Sequence, residues 1–191
     1  MAALSMVPRY KALVPQDQSL PAIWLISDAR NDAVLESALK RLPRGSGFIY
    51  RHYHLDGRAR YERYLTLRRV ARAYDHTVIL ADSALTATEW RADGIYGPSR
   101  ALYPRRNGLL HLATAHNIRE VALANQFGSD AILISPIFTT NSHPSGKVLG
   151  PAKFRLLAAH SNAPVIALGG MNAHRAHTLN WSRWAAIDGL S

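Results

Sequence analysis

Eight short apolar segments recur along the chain, and longer stretches with helical periodicity separate most of them. The apolar segments lie at residues 22–27, 47–51, 77–81, 93–96, 109–113, 131–135, 164–168 and 185–190. The helix-like stretches lie at residues 32–42, 58–74, 83–91, 117–127, 151–160 and 172–180. Almost continuously apolar strands that alternate with helices are typical of a parallel sheet covered by helices. The pattern predicts an α/β fold, a (β/α)8 TIM barrel, with an open doubly wound sheet as the alternative.

Two parts of the chain depart from a regular barrel. Residues 97–108 are rich in proline and glycine, so we expect a degenerate helix after the fourth strand. The last predicted strand reaches the end of the sequence, so we expect the last helix to be missing. We treat residues 1–191 as one domain with an N-terminal extension at residues 1–21. Truncation, a homodimer contact or this extension would each account for the uncovered wall.

The composition of the chain excludes some kinds of functional site and favours others. The chain contains no cysteine, which excludes disulfides, thiolate catalysis and cysteine-based metal sites. The N-terminus lacks the pattern of a secretory signal, and no apolar run approaches the roughly 20 residues that cross a bilayer. We therefore expect a soluble, cytoplasmic protein with no membrane partner. The formal net charge of +10 predicts affinity for anions such as nucleic acids or phosphorylated metabolites.

Nine arginines lie between Arg41 and Arg72, most of them in a predicted helix. Tyr61, Leu65 and Val70 have the spacing of an apolar stripe on this helix. A solvated helix face is the interpretation that we favour, and a nucleic-acid patch is the alternative. No zinc-finger, RNP-like or basic-zipper pattern accompanies the arginines, so a nucleic-acid partner is not expected.

Two glycines end the seventh predicted strand, in the sequence Ala-Leu-Gly-Gly-Met-Asn. Ligands of (β/α)8 barrels bind at the carboxyl ends of the strands, and the loops after the last two strands often bind phosphate. Gly169 and Gly170 lack Cβ atoms, so backbone amides can approach a phosphate closely, and Asn172 can cap the next helix. We predict a phosphate site at these glycines, with a tight turn that binds no ligand as the alternative.

The polar loop at residues 135–150 is unusually long for a compact domain. Its hydroxyl, amide and basic side chains suit a phosphate or diphosphate, although mobile surface loops have a similar composition. The polar residues of this loop are Thr139, Thr140, Asn141, Ser142, His143, Ser145 and Lys147.

From residue 23 to residue 190 the sequence resembles the family of thiamine phosphate synthase and its relative TenI, the thiazole tautomerase. The most specific segments are SPIFTTNSHPSGKVLG, which is similar to the family's GPVFxTxTK loop, and PVIALGGMN, which is similar to PVxAIGGIN. Weaker similarities, in the family's order along the chain, are found in WLISD, FIYRHY, VILADS, ADGIYG and LATAHN.

The resemblance implies a cytoplasmic enzyme of thiamine biosynthesis. The synthase, a transferase, joins hydroxymethylpyrimidine diphosphate to thiazole phosphate and releases pyrophosphate with the help of Mg²⁺. The tautomerase isomerises a carboxythiazole phosphate. We expect a synthase-like function from the overall resemblance. The alternatives are a tautomerase and a catalytically silent protein that binds thiazole phosphate or thiamine phosphate.

The resemblance also assigns roles to single residues. Arg51 matches an arginine that contacts the diphosphate, an anion that a planar guanidinium suits. Thr114 stands where the synthase has a serine, and His116 stands where the tautomerase has a histidine that can transfer a proton. These three residues are the catalytic candidates. Because Asn117 and Glu120 have capping-box spacing, the alternative for His116 is a place at a helix start without catalysis.

One metal ligand and a set of binding residues complete the expected site. Asp82 matches an acidic Mg²⁺ ligand, so Mg²⁺ is the expected cofactor if coupling takes place, and the alternative is that Asp82 caps the next helix. The candidates for phosphate and substrate binding are Gly169, Gly170, Thr140, Ser142, His143 and Lys147.

Several positions depart from the family pattern. Ile49 and Tyr53 replace a glutamine and a lysine on either side of Arg51. Arg100 lies near the place of a second acidic Mg²⁺ ligand, and His143 replaces a lysine. Stabilisation of a leaving pyrophosphate needs concentrated positive charge. Because the losses fall on the diphosphate side of the site, the tautomerase is the nearest alternative to the synthase.

Overall fold

The computed structural model describes residues 20–140 and 147–191, which form a closed barrel of eight parallel strands. The strands are β1 Ile23–Ile26, β2 Gly47–Tyr50, β3 Thr77–Leu80, β4 Gly94–Pro98, β5 Leu110–Ala115, β6 Ala131–Ile134, β7 Val165–Ala167 and β8 Trp184–Ala186. Each strand pairs with the next one along the chain, and β8 pairs with β1. The predicted (β/α)8 barrel is confirmed, and the open doubly wound sheet is wrong.

Helices connect most of the strands. In the described residues the α-helices are α1 Leu35–Arg41, α2 Gly57–Ala73, α3 Ala84–Glu89, α4 Ile118–Gln126, α5 Gly150–Ala159 and α6 Ala173–Leu179, and 3-10 helices span Ala29–Val34 and Asp188–Leu190. None of the helices found there has the length and apolar character that a membrane span requires. Asp82 does not cap α3, because the Ser83 side chain accepts the Thr86 amide at 3.1 Å and takes that role.

The two expected departures from a regular barrel are present. Residues 99–109, between β4 and β5, contain no α-helix. Among the described residues, β8 is followed only by the short 3-10 helix Asp188–Leu190. The predicted eighth strand, at residues 185–190, is therefore too long. The chain turns at Gly189, where a Cβ atom would lie 2.2 Å from the Met171 carbonyl oxygen.

The apolar core has two layers, one on each side of the strands. The inner layer fills the barrel with side chains that include Trp24, Ile26, Ile49, Ile79, Leu112, Leu133 and Ile166. The outer layer lies between strands and helices and includes the neighbouring strand residues Leu25, Phe48 and Val78. Successive side chains of a strand point to opposite faces, so each strand contributes to both layers. Burial of both faces explains why the strands are almost continuously apolar in the sequence.

Helix α2 packs on the barrel through a different face from the predicted one. Tyr64, Leu67 and Ala71 are fully buried, whereas Tyr61 and Leu65 are each 38% exposed. The predicted stripe is therefore wrong. Both faces carry apolar residues at helical spacing, so periodicity alone could not distinguish them.

Many arginines of the Arg41 to Arg72 segment form ion pairs. The pairs are Arg44 with Asp75, Arg51 with Asp28, Arg58 with Glu62, Arg60 with Asp82, Arg63 with Asp32 and Glu36, and Arg72 with Asp93. Neighbouring carboxylates therefore offset part of the positive charge of this segment.

Candidate functional site

A cavity of about 570 Å³ opens at the carboxyl end of the barrel. Its walls come from the loops that follow the strands, as the fold requires of a ligand site. The lining residues are Arg51, Tyr96, Thr114, His116, Ser135, Pro136, Thr139, Thr140, Leu168, Gly169, Gly170, Met171, Asn172, Arg175, Ala186, Ile187, Asp188 and Gly189. Six of the predicted site residues are among them: Arg51, Thr114, His116, Thr140, Gly169 and Gly170.

The glycine pair after β7 forms one wall of the cavity, and only glycine fits both positions. Gly169 and Gly170 have φ angles of 98° and 62°, in the region that L-residues rarely adopt. A Cβ atom on Gly169 would lie 2.5 Å from Cα of Pro136, and one on Gly170 would lie 2.4 Å from the Thr139 carbonyl oxygen. The loop after β6 thus packs directly against naked backbone. Asn172 caps α6 by accepting the Arg175 amide at 2.8 Å.

His116 follows β5 directly and lies in the same cavity. Its Nδ1 atom is 2.7 Å from the Ser135 carbonyl oxygen, and because a carbonyl only accepts, Nδ1 carries the proton. In the neutral imidazole, Nε2 is then the basic nitrogen. The His116 amide donates to the Glu120 carboxylate at 2.7 Å, and Asn117 accepts the Glu120 amide at 3.1 Å. His116 therefore lies at a capped helix start and also lines the cavity.

Tyr96, on β4, provides a neutral hydroxyl in the cavity. Burial raises the pKa of its phenol to about 12, although Arg51 acts in the opposite direction. The hydroxyl therefore stays protonated at neutral pH and is available as a hydrogen-bond donor.

Arg51 directly follows β2 and lines the same cavity. Its guanidinium lies 3.6 Å from the Asp28 carboxylate and 5.6 Å from the ring centroid of Tyr53. In the part of the chain that the structure describes, its buried Nε atom has no hydrogen-bond partner. Arg51 thus brings a weakly compensated positive charge to the cavity.

Asp82, the expected Mg²⁺ ligand, is bound by other protein groups and does not line the cavity. Its Oδ2 atom accepts from Nη1 of Arg60 at 2.5 Å, and its Oδ1 atom accepts from the Ser83 amide at 2.7 Å. Burial alone would raise the pKa of Asp82, but the hydrogen bond from Arg60 holds it below its ordinary value. The carboxylate is charged, and the guanidinium occupies the side on which a cation would bind.

The residues present do not fit a resident Mg²⁺ ion. Both Asp82 oxygens have protein partners, and Arg60 places a positive charge beside them. Residues 20–140 and 147–191 contain no group of three or more histidine, aspartate or glutamate side chains that could hold a metal ion. Since Mg²⁺ takes oxygen ligands, most often carboxylates and substrate phosphates, the donor set does not support the expected cofactor.

A buried hydrogen-bonded chain lies beside Arg51, below the cavity. Nε2 of His52 is 2.8 Å from the Asp32 carboxylate, and its Nδ1 is 2.8 Å from the Ser27 hydroxyl, which accepts the Arg51 amide at 2.8 Å. The order of groups resembles that of a nucleophilic triad. However, Ser27 is fully buried. The chain therefore fixes the backbone at Arg51 and does not offer a nucleophile to the cavity.

Three predicted binding residues of the loop after β6 remain to be placed. Lys147 is exposed and does not line it. Ser142 and His143 lie outside the described residues.

Two charged residues of the cavity were not predicted from the sequence. Arg175 lies in the first turn of α6, and Asp188 follows β8. Nη1 of Arg175 donates to the Gly170 carbonyl oxygen at 2.5 Å. The Asp188 carboxylate lies 3.2 Å from the Arg30 guanidinium. Their place directly after the last two strands was the signal that could have identified them.

Comparisons with known proteins show the family of the chain. The family model described as thiamine monophosphate synthase matches residues 23–189. Thiamine-phosphate synthase of Chloroflexus aurantiacus is 31% identical over 183 residues, covering 88% of this chain and 82% of that protein. Thiamine-phosphate synthase of Pyrococcus furiosus is 27% identical over 178 residues, covering 88% of this chain and 83% of that protein. The solved thiamine phosphate pyrophosphorylase of Pyrococcus furiosus shares the fold, with a TM-score of 0.72 and 24% identity over 87% of this chain and 85% of that one.

Proposed function

Because the chain belongs to the thiamine monophosphate synthase family, we propose that it binds a phosphorylated thiazole in the barrel cavity and acts in thiamine biosynthesis in the cytoplasm. The glycine pair after β7 supports the phosphate end of this ligand, since naked amides at a barrel strand end suit an anion. His116 lies in the same cavity, so a thiazole ring attached to that phosphate lies within its reach.

Of the two reactions that the family suggests, the arrangement of the cavity supports the isomerisation of a carboxythiazole phosphate best. The observation that carries this choice is the Nδ1 contact of His116 with the Ser135 carbonyl oxygen at 2.7 Å. It leaves Nε2 as the basic nitrogen of the imidazole. A histidine side chain is the usual general base for removing and returning a proton. In this mechanism Nε2 takes a proton from the thiazole ring and the imidazolium returns it to the neighbouring position.

Coupling of thiazole phosphate to hydroxymethylpyrimidine diphosphate is the second candidate. The names of the related synthases and the position of Arg51 in the cavity favour it. Against it stands the state of Asp82, which Arg60 binds instead of leaving it open to a cation. Stabilisation of a leaving pyrophosphate would then depend on Arg51.

The deciding experiment compares both reactions on the same purified protein. One sample receives carboxythiazole phosphate, and its isomerisation is followed by proton NMR. A second receives thiazole phosphate, hydroxymethylpyrimidine diphosphate and Mg²⁺, and thiamine phosphate is quantified by fluorescence after oxidation. We expect isomerisation, a rate about 10²- to 10⁴-fold lower in His116→Gln, and no thiamine phosphate.

Two controls separate the candidates. His177→Gln removes an exposed histidine of α6 and is expected to leave the rate unchanged. Asp82→Ala is included in the coupling assay. Thiamine phosphate that forms with the wild-type protein would establish the coupling reaction instead, and its loss in a folded Asp82→Ala variant would assign Asp82 to that reaction.

A further inference from the structure

We propose that Arg175 binds the phosphate group of the ligand and gives the cavity its preference for a phosphomonoester over the corresponding alcohol. The inference rests on the proposed function for the identity of the ligand, but the anion site itself is defined by Arg175 and the cavity. It adds a side-chain cation to a wall otherwise made of backbone.

The position of Arg175 is the first argument. Arg175 lines the cavity together with Gly169 and Gly170. A Cβ atom placed on Gly170 would lie 2.9 Å from Nη1 of Arg175, so the guanidinium lies directly against the naked backbone. A phosphate that meets the glycine amides therefore also meets this positive charge.

The second argument is that the Arg175 side chain is held in place before any ligand binds. The guanidinium carbon lies 5.0 Å from the ring centroid of Phe138, and Nη1 donates to the Gly170 carbonyl oxygen. Two anchors on different groups fix a side chain that otherwise loses about 2 kcal/mol of rotamer entropy on binding. Binding to a fixed guanidinium costs correspondingly less.

The third argument concerns the donors of Arg175 that remain. Within residues 20–140 and 147–191, the Gly170 carbonyl is the hydrogen-bond acceptor found for its guanidinium. The other N–H groups form a planar fork that matches phosphate oxygens. By contrast, the three nitrogen atoms of Arg60 all donate to protein oxygens. One of the three guanidinium nitrogens of Arg175 is engaged by protein in the described residues, whereas all three of Arg60 are.

The test measures binding of inorganic phosphate, thiazole phosphate and the unphosphorylated thiazole alcohol by calorimetry at constant salt. We expect Arg175→Gln to lower the affinity for inorganic phosphate and thiazole phosphate about 10- to 100-fold, because a hydrogen bond to a charged group is worth that factor. The affinity for the alcohol should not change. Arg175→Lys keeps the positive charge but loses the planar pair of donors, so its phosphate affinity should lie between those of the wild type and Arg175→Gln. Circular dichroism and thermal unfolding verify that each variant is folded.

Arg155→Gln is the matched control. Arg155 also donates to a backbone carbonyl, that of Leu179, but it does not line the cavity. Equal losses in both variants would show an effect of net charge and overturn the proposal. A folded Arg175→Gln variant with wild-type phosphate affinity, or a wild-type protein that does not bind inorganic phosphate, would also overturn it. Arg175-dependent phosphate binding without isomerisation of the thiazole would refute the proposed function alone.

Discussion

The two sides of the cavity mouth hold their positively charged side chains in different ways. After β7 the cavity is lined by Gly169, Gly170 and Arg175, and one nitrogen of the Arg175 guanidinium is engaged by the Gly170 carbonyl. After β2 and β3, Arg51 is the charge that reaches the cavity, while Arg60 and Asp82 bind each other outside it. One side is open to a ligand, and the other is largely closed by protein contacts.

The difference indicates where binding energy for a ligand is available. Backbone amides and a guanidinium with remaining donors gain new hydrogen bonds when an anion arrives. An ion pair that is already formed must first be broken, and the partner left behind is uncompensated. We therefore expect changes on the β7 side to affect ligand binding, and changes at the Arg60 and Asp82 pair to affect folding.

Gly170→Val should give the largest effect. The new side chain would have to place its Cβ 2.4 Å from the Thr139 carbonyl oxygen and adopt a φ angle of 62°. We expect thiazole phosphate affinity to fall about 100-fold or more, because the loop after β6 must move and the amides lose their orientation. The barrel should remain folded, since the clash is confined to this loop. Calorimetry and circular dichroism measure the two quantities.

Gly108→Val is the control for backbone strain alone. Gly108 has a φ angle of 82°, but nothing lies within 4 Å of its Cβ position, and it does not line the cavity. Its replacement should cost about 1 to 2 kcal/mol of stability and leave ligand affinity unchanged. Unchanged affinity in a folded Gly170→Val variant would remove the basis of the phosphate site.

Arg60→Gln should destabilise the fold rather than abolish ligand binding. The Arg60 side chain is 12% exposed, and its donors join Asp82 to the carbonyl oxygens of Arg51 and Ala81. Removing it leaves a partly buried carboxylate without its partner, and we expect a loss of about 2 kcal/mol in the free energy of unfolding. Urea denaturation of the variant measures this loss.

Arg58→Gln is the matched control for this helix. Arg58 is 90% exposed and pairs with Glu62 one helical turn away, so its loss should cost about 0.3 kcal/mol. If Arg60→Gln were as stable as Arg58→Gln, the ion pair of Arg60 with Asp82 would not be needed for the stability of the fold. The carboxylate would then be free to accept a cation.

The free energy of unfolding should also decrease in mild acid, because of a buried histidine that follows β2. Burial lowers the pKa of His52 below its ordinary value of 6.5, although the bond to Asp32 acts in the opposite direction. Below pH 6.5 the unfolded chain takes up a proton that the folded His52 does not, so its contribution to stability is lost as pH falls through the folded pKa. His76 and His111 also have pKa values lowered by burial and contribute to the same step.

His52→Gln should therefore make the loss of stability at acidic pH smaller without abolishing it. Denaturation midpoints between about pH 7 and pH 5 give the slope for each protein. His116→Gln is the comparison, since its imidazole lies at the cavity and not in the buried chain. A slope that does not change in His52→Gln would mean that the chain through Asp32 and Ser27 tolerates the proton.

The sequence predicted the barrel and the β7 side of the site because both depend on local signals. A strand buried on both faces is almost continuously apolar, and this identified all eight strands. Gly169 and Gly170 were found because the carboxyl ends of barrel strands have a fixed role in ligand binding. Their positive φ angles and the close approach of Pro136 give the physical reason for glycine there.

The ion pair of Arg60 with Asp82 and the orientation of α2 depend on contacts between residues that are distant in the sequence, which no local sequence pattern encodes. Arg60 and Asp82 are 22 residues apart and meet because α2 packs across the end of β3. In the sequence, Arg60 is one of many arginines, and the stripe through Tyr61 and Leu65 was placed on the wrong face of the same helix. The rotation of α2 decides which arginine reaches the barrel. That rotation is set by the fit of Tyr64 against the outer core layer.

Asp188→Asn should give the smallest effect and sharpen the contrast between the two sides. The Asp188 carboxylate lines the cavity and opposes a bound anion, while Arg30 offsets part of its charge at 3.2 Å. We expect phosphate affinity to rise about 2- to 5-fold at low salt and the gain to shrink at high salt, because exposed charges are screened. Calorimetry at two salt concentrations measures both. A fall in affinity for thiazole phosphate, with no change for inorganic phosphate, would instead mean that Asp188 binds the thiazole itself.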